Sequence, residues 1–592
     1  MSALAEASFI RASRENKCQR AGGAQPAIRK TTGRLVTYCP MYAPNAMMPD
    51  NGLALLAAVT NAAGHDVKVM DYNTTDSMRR LIPPFWSRCL DLNWKYMISP
   101  RYDNPNLGLA DKFVLALGGV VNSAIDWGKL TFTRRAEVHR VAQELIRQVQ
   151  DEGVEWIGFK LWNGYGYTMP LAIAREVKRV CPDVKLFAGG PQADFYYKYD
   201  VLRQRTDVFD AISFRGGEEA LVGLADWVGS NGRLDRADIP NIVFRDAAGK
   251  IKQTEYRPVD LKELPMPDYS EETYPAMQGD QKIKVAVQVD MIGCYWNKCA
   301  FCGYKFRTPD RVSQKTPEQV FAEMRALMRQ GIFAFRFSGA TLGPAFHNRL
   351  ADLILASGVQ IKFAAFVRAQ EMDALDLEKL KRAGLDSVML GVESGSPTLL
   401  KSMHKGEEAA TLERQIKRFK AAGVFVVASL IGFPPGQTDQ TFQETVDFLK
   451  RAQPDAIVYT PPLAIPGTDW WDNAGTNNVE IVGTKAEAIA AALIYSIRHL
   501  VPPALWPPMP YMVNGLTSRQ FLKEVDREAG VIQAQTGIPS RISDDLALFA
   551  HLLGKEPVAF RDEVTRMFIA ADTEAIDRLV RTLNAAMLSL YT

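Results

Sequence analysis

The chain is 592 residues long, 47% hydrophobic and 23% charged, with a net charge of +3. That length holds roughly three or four domains at about 100–200 residues each, and the balance is that of a soluble globular protein with filled cores. Near-neutral charge gives no electrostatic footprint for nucleic acid. Seven cysteines, four of them scattered, make no disulfide framework and fit a reducing cytoplasm.

Residues 1–32 read as a disordered tail without the unbroken apolar core of a signal peptide. From Arg34 the pattern alternates. RLVTYCP reads as a buried strand, GLALLAAVTNAAGH as an apolar-faced helix and DVKVMDYN as a second strand. A long insertion follows, and its most apolar run, FVLALGGVVNSAI from Phe113, is too short and too polar to span a bilayer. No membrane partner is expected. EWIGFKLW, VKLFAGGPQ and FDAISFRGGEEALVGLADW complete the series, so residues 33–235 predict a Rossmann-like, mostly parallel sheet.

Ligands of such sheets bind at the carboxyl ends of the strands, where this chain places Gly189, Gly190, Pro191, Gly216, Gly217 and Glu218. Glycines there either let backbone approach a large flat ligand or simply make strand–helix turns. No G-x-G-x-x-G occurs, so a dinucleotide is disfavoured. NGLALLAAVTNAAGHDVKVMD behind Pro49, then AGGPQA, then FRGGEEAL together resemble the cobalamin-binding domain of cobalamin-dependent radical S-adenosylmethionine (SAM) enzymes. The resemblance implies a corrin over these strand ends, with Pro49, Asn51 and Gly52 beside the glycine turns. No D-x-H-x-x-G is present, so no histidine axial ligand to cobalt is expected. His65, between a helix and a strand, reads as a solvated turn residue.

Residues 236–282 read as a hairpin and a Pro-rich linker. GCYWNKCAFCGY then places Cys294, Cys299 and Cys302 in a C-x4-C-x2-C loop. Close-set thiolates bind zinc or an iron–sulfur cluster. A structural zinc site normally takes four protein ligands, whereas three thiolates leave one iron of a cluster open to an outside ligand. The strand KVAVQVDMIGC feeds the loop, and about six helix–strand units follow to residue 478. Such an array predicts a partial (β/α)6 barrel with its site at the carboxyl ends of its strands.

The cysteine triad, LGVESGS, KGEEAATLERQIKRFKAAG, LIGFPPGQT and IPGT resemble the radical SAM superfamily over roughly residues 283–470. The resemblance implies a 4Fe–4S cluster held by Cys294, Cys299 and Cys302, with SAM at its open iron. It places Phe301 and Tyr304 near the adenine, and Gly339, Arg368 and Glu393 around the rest of SAM. Arg368 can pair bidentately with a carboxylate. The family spacing is C-x3-C-x2-C, so this loop holds one extra residue, with Tyr295 and Trp296 as candidates to line a substrate pocket or to shield the cluster.

Residues 479–592 read as a mainly α-helical domain that either shapes a substrate pocket or mediates dimerisation. The two cofactor regions on one chain imply a class B-like C-methyltransferase, in which a 5′-deoxyadenosyl radical activates a carbon and cobalamin delivers methyl. The alternative is a non-methylating cyclisation, ring contraction or oxidation. A natural-product intermediate or a peptide is the expected substrate, and a flavodoxin or ferredoxin the expected electron donor.

Overall fold

The strand expected in RLVTYCP is β1 (Thr32–Thr37), paired in parallel with β2 (Asp66–Asp71), Leu35 opposite Val69. Leu35 and Val36 are both buried, because a parallel strand is covered on both faces and needs no alternation. The computed structural model describes residues 28–39, 43–102, 107–306, 312–370, 372–495, 500 and 503–590. Most of the expected N-terminal tail lies outside them. β3 (Trp156–Lys160), β4 (Lys185–Gly189) and β5 (Ala211–Ser213) extend the parallel sheet. β6 (Ile242–Arg245) and β7 (Ile251–Gln253) then join it antiparallel. The order β2-β1-β3-β4-β5-β6-β7 makes the hairpin at the head of the 236–282 segment the edge of the first sheet.

Trp156 fixes how this sheet packs. It is fully buried, and a Cβ on Gly33 would stand 2.2 Å from its ring. Gly33→Ala is therefore expected to destabilise the protein by about 1–3 kcal/mol, the usual cost of overpacking, read as a lowered urea midpoint. The Trp156 indole donates to Thr31 Oγ1 at 3.0 Å, and that hydroxyl lies 2.9 Å from His65 Nδ1. His65 Nε2 is 3.0 Å from Asp226 Oδ1. The expectation of a solvated His65 is thus corrected. Both ring nitrogens find partners as the turn tucks under the helix Glu218–Gly229, so the imidazole is buried at the amino edge of the sheet.

The second sheet begins at β8 (Val285–Gln288). A short antiparallel pair follows, β9 (Met291–Ile292) with β10 (Ser313–Gln314). Next come β11 (Ala334–Phe337), β12 (Lys362–Val367), β13 (Leu385–Glu393), β14 (Phe425–Ile431) and β15 (Ala456–Thr460). These five pair in parallel with β8 in the order β15-β14-β13-β12-β11-β8, an open six-stranded partial barrel. One face packs Phe335, Phe363, Val388 and Leu430 against the intervening helices.

The opposite face is filled by the C-terminal part of the chain. After the antiparallel pair β16 (Val479–Ile481) and β17 (Tyr511–Val513) comes the helix Asp544–Leu552. Ile542 and Ala547 pack on Val427 and Ala456. Arg336 forks onto Asp544 at 2.9 and 3.0 Å, Ser387 Oγ donates to the Asp544 carbonyl, and His551 Nδ1 lies 2.7 Å from Asp386. Inward-facing strand residues would otherwise leave an apolar, partly charged hollow exposed.

Candidate functional site

The cysteine loop leaves β9 and turns twice through left-handed backbone, at Gly293 (φ 89°) and Asn297 (φ 49°). Asparagine tolerates that conformation, so the extra residue of the C-x4-C spacing is absorbed in a tight bend. Two backbone bonds tie the loop down: Ala300 N–H donates to Met403 O at 2.9 Å, and Trp470 N–H to Ala300 O at 3.3 Å. Trp296 lies over Gly406, where a Cβ would stand 2.1 Å from the ring, and donates its indole N–H to His404 O at 2.7 Å. It therefore pins the loop to the 404–406 turn. Tyr295 is exposed, with its hydroxyl 3.1 Å from Gln314 Oε1.

Cys299 feels the charge of Cys302, and Cys302 that of Cys294, so each thiol lies within electrostatic reach of the next. Burial pushes the Cys299 thiol up to about 11, against the pull of Lys405 and Arg368. Burial also raises Cys302, whose sulfur accepts the backbone N–H of Tyr304. Among the described residues no three ligating side chains meet as the shell of a single ion. A zinc site needs its thiolates at about 2.3 Å from one point, whereas a cluster takes each thiolate on a different iron. The donor set fits a cluster.

Around the thiols stands a buried charge group, in which Glu393 and Arg368 were expected and Lys405 and Glu407 were not. The Lys405 ammonium lies 3.0 Å from Glu393 Oε1 and 3.4 Å from Glu407 Oε2. Burial pushes it down, but the two carboxylates more than offset this and hold it above the ordinary lysine value. Gly391 makes room, since a Cβ there would lie 2.9 Å from both Glu393 Oε1 and Lys405 Nζ. Glu393 sits at φ 63° where the β13–β14 register shifts, a strained position for a non-glycine residue. Arg368, just past β12, points Nη1 at Cys299 Sγ (3.9 Å) and donates through Nη2 to Lys405 O (3.0 Å). Lys405 and Glu407 were visible only as part of KGEE, where nothing in the spacing distinguishes them from a solvated charge run.

Gly339 has less freedom than the resemblance implies. Its N–H donates to Asp290 Oδ1 at 3.1 Å, and a Cβ would stand 2.7 Å from the same oxygen. Asp290 Oδ2 is buried and accepts no hydrogen bond from described residues, and Glu407 Oε2 meets the Lys405 ammonium only at 3.4 Å, a deficit that a polar ligand such as SAM would satisfy. Burial pushes the Asp290 carboxyl up to about 7 and the His347 imidazole, 3.9 Å away, down to about 4. The two act oppositely on stability. The raised Asp290 stabilises fully below about pH 4 and loses that as pH climbs through 7, while His347 gains stability between about 4 and 6.5. Asp290→Asn is expected to be more stable than the wild type at pH 8, on the order of 2–4 kcal/mol, the margin narrowing as pH falls. Urea titrations of both proteins across pH 5–8 measure it.

Phe301 packs its ring 5.6 Å from Trp470. Gly303 meets Phe195, whose ring would lie 3.0 Å from an added Cβ. Phe195 belongs to the helix Pro191–Tyr196, which starts directly after β4 and Gly190. The cysteine loop therefore abuts the carboxyl edge of the first sheet. On that edge Pro49 is buried, and Asn51 donates to Val287 O (2.9 Å) and Tyr269 (3.2 Å), joining the helix Asn51–Ala62 to β8. Lys160, ending β3, pairs with Asp50, which caps that helix through Leu53 N–H.

The glycine turns themselves are demanded by the fold. Gly190 (φ 97°) and Gly216 (φ 137°) take conformations closed to other residues, and Cβ atoms would meet Leu161 O at 3.0 Å and Val259 at 2.7 Å. Gly189 packs on Ser213 and Gly217 on Leu56, and Glu218 opens the next helix. Gly52, exposed, faces open space apart from its own cap. Farther along, at the ends of β1 and β2, a cavity of about 360 Å³ opens between Tyr38, Tyr72, Asn122 and Phe568.

Residues 290–449 match the radical SAM superfamily. An uncharacterized methyltransferase of Pyrococcus horikoshii is 26% identical over 334 residues, 55% of this chain and 71% of its own length. The anaerobic magnesium-protoporphyrin IX monomethyl ester cyclase of Rubrivivax gelatinosus is 27% identical over 315 residues, 49% of this chain and 53% of its own. The fold is similar to that of the radical SAM methyltransferase TsrM of Kitasatospora setae, solved with cobalamin and a 4Fe–4S cluster bound (TM-score 0.58, 15% identity, 93% of this chain and 99% of that one). It is also similar to the cobalamin-dependent SAM radical enzyme OxsB, solved with aqua-cobalamin and SAM (TM-score 0.53, 17% identity, 78% and 55%). A radical SAM domain implies a 4Fe–4S cluster and SAM; residues 290–449 match such a domain, within an α/β fold similar to that of these two cobalamin-binding enzymes.

Proposed function

We propose that the protein is a cobalamin-dependent radical SAM C-methyltransferase, moving methyl from SAM by way of cobalamin to an unactivated carbon of a natural-product intermediate or peptide. The observation that supports this reading is the contact of Gly303 in the cysteine loop with Phe195 beside the Gly189–Gly190 turn, which brings that loop to the carboxyl edge of the first sheet. When bound, the cluster with SAM supplies hydrogen-abstracting power, and cobalamin supplies a transferable methyl group.

Cys294, Cys299 and Cys302 hold the iron in this reading, and Lys405 and Arg368 balance the negative charge of their thiolates. Glu393 is held by Lys405 and orients toward the polar groups of SAM. Asp290, Glu407, Phe301 and Tyr304 line the remainder, with Tyr295 and Trp296 over the loop. Pro49, Asn51, Gly52 and the turns at 189–191 and 216–218 would support cobalamin. The likeness to the cyclase favours a second, non-methylating reading. Anaerobic protein loaded with iron, sulfide and cobalamin, given SAM and reductant, separates them. Formation of both 5′-deoxyadenosine and S-adenosylhomocysteine supports methylation, and 5′-deoxyadenosine alone supports the second reading.

A further inference from the structure

More than half of the exposed large hydrophobic side chains among the described residues fall within residues 85–132, in the insertion between β2 and β3. The helix Leu109–Gly128 directs Leu109 (88% exposed), Phe113 (71%), Leu117, Val120 and Trp127 (64%) to solvent, spaced at three and four residues on one face. Phe132 stands edge-on to Trp127 with ring centroids 6.1 Å apart, and Phe85 and Tyr96 are exposed in the same insertion. A monomer rarely leaves so continuous an apolar face uncovered.

The helix cannot roll to bury it, because small residues lock the opposite side. A Cβ on Gly118 would lie 3.0 Å from Asn93 Oδ1, and one on Gly128 would lie 2.9 Å from Trp86. Asn93 Nδ2 donates to Gly118 O and to Asn122 Oδ1 at 2.9 and 2.8 Å. The side facing the 360 Å³ cavity is likewise committed, through Gly119, Asn122 and Asp126.

Charge decides what covers the stripe. Asp91, Asp111 and Asp126 are each occupied by a cation, Arg566, Arg101 and Lys129 respectively. Arg88, Lys95, Lys112 and Arg135 are exposed and form no ion pair among the described residues. The rim is therefore positive. A second copy seated symmetrically would set this rim against itself, since a two-fold interface brings the same patch to both sides. Aromatic and aliphatic side chains beside exposed cations that form no ion pair among the described residues instead suit an anionic lipid surface. No described helix is long and apolar enough to cross a membrane, so the contact lies in the interface.

We propose that the exposed face of the helix Leu109–Gly128 docks the protein on anionic lipid, with the Phe113–Trp127 stripe in the headgroup region. This rests on the patch alone and stands apart from the proposed reaction. The test is co-flotation of the full chain with phosphatidylcholine vesicles, with and without phosphatidylglycerol. Flotation is expected with the anionic vesicles only, weakened by salt, and lowered roughly tenfold or more in F113E/W127E, whose fold is checked by circular dichroism. Absence of wild-type flotation overturns the proposal, as does flotation unchanged in the variant. A dimer in light scattering that F113E/W127E dissociates, without flotation, overturns it in favour of a second copy.

Discussion

Cys299→Ala is expected to yield a folded protein that cannot retain its iron. Cys299 is buried, and alanine is smaller, so the substitution adds no clash. The loop keeps its anchors at Met403, Trp470 and the 404–406 turn, none of which involves the Cys299 side chain. What disappears is one of three thiolates, together with the negative charge that Arg368 and Lys405 face. Removing partners outside the ligand shell of a metal site typically costs about 10–100-fold, so loss of a ligand itself is expected to cost more than roughly a hundredfold in 5′-deoxyadenosine formation. Iron per protein after anaerobic reconstitution checks it, with Cys181→Ala, far from the loop at the end of the helix Tyr165–Val180, as the control that keeps its iron. Wild-type iron and SAM cleavage in Cys299→Ala would remove the cluster from this loop.

Lys282→Met is expected to cost about 3–5 kcal/mol, as for any buried pair stripped of one partner. Lys282 Nζ lies 2.6 Å from Asp71 Oδ2, and both side chains are fully buried. The ammonium also donates to Asn73 O at 2.9 Å, and the Tyr274 hydroxyl donates to Asp71 at 2.5 Å while accepting Asp50 N–H at 2.8 Å. This cluster joins the end of β2, the cap of the helix Asn51–Ala62 and the segment entering β8. Methionine matches the lysine stem in volume, so the loss isolates the charge. Adding Asp71→Asn should return part of the stability, because the stranded carboxylate is what costs most. Chemical denaturation of the wild type, the single variants and the double variant closes the cycle. An additive double variant would mean that the two groups do not interact.

Much of this architecture was legible in the sequence because it rests on short-range signals. Buried parallel strands read as unbroken apolar runs, as in β1 and β14, and the cysteine loop is a local motif. His65 was misread because its partners, Thr31 and Asp226, come from either side in the fold and far apart in the chain. The inner face of the barrel escaped notice for the same reason: Arg336 and Asp544 are more than two hundred residues apart. Lys405 looked like surface charge until β13 brought Glu393 to it. The turns at Gly190 and Gly216 carry a different lesson. Their glycines read equally well as a ligand cradle or as turn requirements, and their positive φ and close packing account for them as turns.

The proposed reaction requires two cofactors at one edge of the first sheet. The direct measurement is electron paramagnetic resonance of the reconstituted protein carrying cob(II)alamin, with its cluster oxidised and then reduced. Adjacent sites predict a cobalt signal without histidine nitrogen splitting, whose relaxation quickens when the cluster is reduced and stays unchanged in Cys299→Ala. Failure to retain cobalamin through desalting, or a cobalt signal indifferent to the cluster in the wild type, would contradict the composite site.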